Sequence, residues 1–113
     1  MLKVEVNRKR WGRGTGDGSL LRDGKMCCLG FVCRKVGLSA EEIKHTGEPI
    51  DVVVGEKVPK AMRGLYNKKL DGRSKVCRAL VRYNDDSVLS DKQREKKIIS
   101  YGRKAGIEFT FVN

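Results

Sequence analysis

Apolar and polar residues alternate strictly over Leu2-Lys3-Val4-Glu5-Val6-Asn7. Leu2, Val4 and Val6 therefore share one face, and the segment reads as a half-buried strand. The same alternation returns in Ile107-Glu108-Phe109-Thr110-Phe111-Val112, a closing strand positioned to pair with the first. Between them the period changes. Leu29, Val32, Cys33 and Val36 recur at helical spacing, and Met26, Cys28 and Phe31 widen the stripe. This predicts a mostly buried helix over 26–37, with Arg34 and Lys35 in its last turn and Gly37 as its C-cap. Gly30 inside it costs about 1 kcal/mol against alanine, which points to a close packing contact there. Ser39 followed by Glu42 is a capping box that opens a short helix through Ile43 or Lys44, ended by Gly47-Glu48-Pro49. Val76, Leu80 and Tyr83 predict a third helix over 75–83, ending at Asn84-Asp85-Asp86. Ser90 with Gln93 makes a second capping box. The helix it starts, over 91–105, puts Gln93 or Arg94, Ile98 and Tyr101, Gly102 or Ala105 on its inner face, with Gly106 as C-cap.

The connections carry their own signals. Glycine at every second position from 12 to 18 excludes a helix, so residues 8–19 form a loop. Ser19-Leu20-Leu21-Arg22 reads as a short strand, and Asp23-Gly24 as the turn of a hairpin. Residues 50–54 are either a short strand or an apolar loop under the core. Residues 57–74, with Pro59, Gly64, Asn67 and Asp71-Gly72, form an irregular basic excursion. The expected fold is a single α+β domain over 1–113. In it, a short antiparallel sheet of the N-terminal and C-terminal strands packs with three to four helices.

At 113 residues with 39% hydrophobic and 35% charged residues, the chain can bury one modest core. No apolar run approaches the roughly 20 residues of a spanning helix. The start lacks the apolar core of a signal peptide, so a cytoplasmic location is expected. Cys27, Cys28, Cys33 and Cys77 are even in number. Adjacent cysteines in an apolar run make a poor disulfide, however, and no paired Cys-x2-Cys knuckle accompanies the single His45. A metal site from Cys27 or Cys28, Cys33, Cys77 and His45 is weighed against small buried thiols, and the buried thiols are preferred.

Charge changes the picture most. The net +11 is concentrated in residues 59–82, where Lys60, Arg63, Lys68, Lys69, Arg73, Lys75, Arg78 and Arg82 stand against Asp71 alone. Mutual repulsion there favours an anionic partner. A second cluster, Arg8, Lys9, Arg10, Trp11 and Arg13, lies in the glycine loop. There backbone N–H groups can converge on an anion and an exposed indole can stack on a base. The two clusters are expected to converge into one positive face. The competing reading makes Trp11 a core residue and the cations a solvated surface. No catalytic set assembles. Asp85-Asp86 read as turn and capping residues, Cys27 and Cys28 as buried, and His45 as a surface residue beside a helix end, so a non-enzymatic protein without a cofactor is expected.

Gly24-Lys25-Met26-Cys27-Cys28-Leu29-Gly30-Phe31, preceded by Trp11-Gly12-Arg13-Gly14 and Leu20-Leu21-Arg22, resembles a set of small phage- and prophage-encoded proteins of no established activity. The C-terminal part is similar as well, in Asn84-Asp85-Asp86, Ser90-Asp91-x-x-Arg94-Glu95 and Gly106-Ile107-Glu108. The likeness spans both ends of the chain and is weak between residues 45 and 75. It implies a protein of an infected bacterial cytoplasm that blocks host defence in the manner of an anti-CRISPR, with no functional residue carried over. Its partner would be nucleic acid or a nucleoprotein defence complex. Two further readings stay open. One is a sponge for a nucleotide second messenger, with Trp11 or Tyr66 stacking on the base; the other is a purely protein–protein inhibitor using basic side chains against an acidic groove.

Overall fold

A computed structural model of the chain describes residues 1–15, 19–44 and 46–113. Strand β1 (Leu2–Asn7) is followed by a loop and a small hairpin of β2 (Leu21–Arg22) and β3 (Lys25–Met26). Helices α1 (Cys28–Lys35) and α2 (Ala40–Ile43) come next. Three short 3-10 turns, Pro49–Asp51, Gly55–Lys57 and Lys60–Leu65, then lead to α3 (Lys75–Asp85), α4 (Asp91–Lys104) and β4 (Ile107–Val112).

Local chemistry accounts for most of these boundaries. Ser39 accepts from the Glu42 N–H while the Glu42 carboxylate accepts from the Ser39 N–H, and Ser90 and Gln93 do the same at the start of α4. At the hairpin turn Asp23 and Gly24 both have positive φ, 52° and 78°, the pairing that a tight primed turn needs. The helix predicted over 26–37 is shorter because Met26 is drawn into the hairpin, where its N–H donates to the Arg10 carbonyl. Residues 50–54 form no strand. Pro49–Asp51 make a 3-10 turn, and Ile50, Val52 and Val53 pack against the core from outside.

The sheet departs from expectation in direction. β1 and β4 pair in parallel, Leu2 with Ile107 through Asn7 with Val112, not antiparallel. Alternation fixes which side chains face inward but does not reveal strand direction. Direction is set by α4, which runs back beneath the sheet and turns tightly at Ala105–Gly106. β4 therefore starts beside the start of β1, where the Leu2 N–H meets the Gly106 carbonyl at 3.0 Å. On the inner face Val4, Val6, Ile107 and Phe109 are buried against α1, α3 and α4, together with Leu29, Val32, Leu80 and Ile98. On the outer face Lys3, Glu5 and Thr110 are exposed.

Candidate nucleic-acid interface

The loop after β1 corrects the first expectation. Trp11 is only 1% exposed, with its Nε1–H donating to Asn84 Oδ1 at 2.8 Å and its ring 4.7 Å from that of Phe111. It is a core residue and cannot stack on a base. Asn84 is the hub that holds it. Its Oδ1 also accepts from the Cys28 N–H at 3.0 Å, and its Nδ2 donates to the Gly12 carbonyl at 3.0 Å. Arg8 forks onto Glu95 at 2.7 and 2.8 Å. Arg13 forks onto Asp91 at 2.7 and 3.2 Å, donates to the carbonyls of Arg8 and Trp11, and lies over the indole. The Arg13 hydrogen bond holds the Asp91 carboxyl below its ordinary value. These two arginines fasten the loop to α4, Arg8 neutralised by Glu95 and Arg13 sharing Asp91 with Arg94. Lys9 and Arg10 remain exposed.

The second cluster keeps more of its charge. Lys60, Arg63, Lys68, Lys69, Lys75, Arg78 and Arg82 are exposed, whereas Arg73 is paired with Glu48. Tyr66 is buried, its hydroxyl lacking a protein partner among the described residues, so it too offers no stacking surface. The two loops are fastened at different ends of α3. The Trp11 loop is bonded to Asn84 at the C-terminal end of α3. The excursion is bonded to Ser74 at the other end, through the carbonyls of Gly64 and Leu65. At 1.5 Å per residue those ends are about 15 Å apart.

The structure instead gathers charge along the seam between α3 and α4. Lys75, Arg78 and Arg82 share one face of α3 at spacings of three and four residues. The rings of Tyr83 and Tyr101 meet across the seam at 5.2 Å. Arg82 lies 5.0 Å and Lys97 5.5 Å over the Tyr83 ring, and Lys104 lies 4.3 Å over that of Tyr101. The neighbouring Tyr101 hydroxyl and the Arg82 guanidinium lower the Tyr83 phenol below its usual value, and the Tyr83 phenol raises that of Tyr101. Aromatic faces hold these cations in place without cancelling them. Lys97, Tyr101 and Lys104 recur at helical spacing in the sequence. That pattern is a readable signal, and an amphipathic reading that turns Tyr101 inward conceals it. At the head of the seam the guanidinium of Arg94, 3% exposed, ties the α3–α4 turn together. It bonds to the carbonyls of Tyr83, Asp86 and Leu89 and to Asp91 Oδ1.

The thiols divide. Cys28, Cys33 and Cys77 are buried, and burial pushes the latter two up to about 12 and Cys28 well above its ordinary value. Cys27 differs from the expected burial. It is half-buried and lines a cleft of about 470 Å³ with Asp85, Arg22, Asp23 and Lys25. No three metal-type ligands gather among the described residues, and His45, the fourth member weighed for such a site, lies outside them. No described helix is long and apolar enough to cross a membrane. Comparison with protein-family models, with curated proteins and with solved structures finds no match to this chain.

Proposed function

We propose that the chain is a non-enzymatic protein that binds nucleic acid through the α3–α4 seam. In the setting its phage-like motifs imply, it would inhibit a host defence nucleoprotein. The observation that supports this is the state of the cations. Arg8, Arg13 and Arg73 are paired with carboxylates. Among the described residues Arg82, Lys97 and Lys104 have no carboxylate partner and lie over tyrosine rings, Arg82 also donating to the Tyr83 hydroxyl at 3.3 Å. A ring orders a cation without adding a counter-charge, which suits a phosphodiester backbone. Such binding is largely independent of base sequence, because phosphates position a protein without specifying a site.

Fluorescence anisotropy with short single- and double-stranded oligonucleotides tests the reading. Affinity should fall steeply between about 50 and 200 mM salt as counter-ions are released. Replacing Lys97 and Lys104 by Gln should weaken binding and flatten the salt slope on duplex DNA by about 0.9 for each phosphate no longer neutralised. Arg8→Gln should leave both unchanged. Salt-independent binding, or a greater loss from Arg8→Gln than from the paired lysine changes, would sink the assignment.

A further inference from the structure

The pairing of β1 leaves one of its edges bare. In the parallel ladder the N–H groups of Leu2 and Arg8 point at β4, to the carbonyls of Gly106 and Val112. Backbone groups alternate in direction along a strand, so those of Lys3 and Glu5 point the other way. Among the described residues no backbone group pairs with them. A surface cleft of about 460 Å³, lined by Lys3, Val4, Glu5, Phe31, Arg34 and Lys35, runs beside that edge and keeps it open to approach. Among the described residues the sheet that carries it has two strands. A parallel pair is the weaker kind of ladder and is seldom left at that width.

We infer that a second copy of this chain docks there by antiparallel strand addition about a two-fold axis through Val4. The side chains select the occupant and the register together. An edge strand bearing lysine alone repels its like. Here Glu5 follows Lys3 on the same exposed face. With Val4 opposite the partner's Val4, Lys3 stands across from the partner's Glu5, and Glu5 from the partner's Lys3. Both outward-pointing residues then exchange backbone hydrogen bonds, and both charge pairs are favourable. The neighbouring antiparallel registers that also match outward groups set lysine against lysine or glutamate against glutamate. The favoured register puts Leu2 opposite the partner's Val6 and extends the apolar inner row across the axis. The product is a single sheet in the order β4-β1-β1-β4. Each copy carries +11, so the bulk charge opposes the contact and added salt should strengthen it.

Sedimentation of the full chain, from micromolar to millimolar concentration, reads the equilibrium. The wild type should dimerise by mass action, more tightly at higher salt. Glu5→Lys should weaken the dimer about tenfold or more, since both pairs become repulsive. Lys3→Glu combined with Glu5→Lys should restore it, because the swapped charges face each other in the same register. The two single variants, each poor at self-pairing, should form a mixed dimer when combined. Glu5→Pro removes an outward N–H that the β1–β4 ladder does not use, and should abolish dimers while the melting transition persists. A wild type that stays monomeric throughout, or a Glu5→Lys chain that dimerises like wild type, overturns the proposal. An acidic peptide captured by the cleft without any dimer would overturn it in favour of another occupant. Oligonucleotide binding by Glu5→Lys, measured in parallel, should be retained, so the edge and the α3–α4 seam can fail separately.

Discussion

At the scale of single residues, two positions carry more than their size suggests. Asn84 is 1% exposed and satisfies groups from three separate segments: the Trp11 indole, the Cys28 amide and the Gly12 carbonyl. Truncation leaves several buried polar groups without partners. Asn84→Ala should therefore cost about 2–4 kcal/mol in denaturant unfolding, well above a typical surface change. Gly30 behaves against its helical propensity. Alanine there would gain about 1 kcal/mol in an isolated helix. In the folded protein its Cβ would collide with the Leu20 carbonyl and press on Met26. Gly30→Ala should thus destabilise the fold by about 2 kcal/mol or more, because the obstacle is backbone and cannot swing aside. A neutral or higher melting temperature would show that α1 and the hairpin can move apart at little cost.

Among the elements, the loop after β1 and helix α4 behave as one unit, joined by Arg8–Glu95 and Arg13–Asp91. Since Arg13 lowers the Asp91 carboxyl from 3.8, the Arg13–Asp91 bond contributes in full above that value and is lost as the pH falls below it. Asp91→Asn should therefore melt below wild type near neutrality and converge with it in acid. Asp91 is half exposed, which keeps the Arg13 share of the gap to about 1 kcal/mol, and loss of the carboxylate facing the buried Arg94 guanidinium adds to it. Elements were also where the sequence was most legible. Both long strands, both capping boxes and the Asp23-Gly24 hairpin stand where alternation and turn chemistry put them. Strand direction and the placing of Trp11 were hidden for a common reason. Each depends on a partner remote in sequence, α4 in one case and Asn84 in the other, and neither leaves a periodic mark on its own segment.

For the molecule as a whole, the two proposed associations respond to salt with opposite sign. Phosphate binding should weaken as ions are added, because each neutralised phosphate releases counter-ions. Pairing of two like-charged copies should strengthen, because the same ions screen their repulsion. A single titration series on the intact chain therefore separates them without mutation. The basic total was plain from composition, but its distribution was not. The acidic partners of Arg8 and Arg13 lie some 80 residues away along the chain, on α4.

The parallel match of β1 with β4 also bears on how the protein is made. β1 is made well before the strand it must lie against, Leu2 preceding its partner Ile107 by more than a hundred residues. Closing so long a loop is entropically slow, and the apolar row of Leu2, Val4 and Val6 stays uncovered until it happens. Nascent chains should therefore remain accessible to chaperones and proteases until β4 has been made and released from the ribosome, and should gain their resistance abruptly when it pairs.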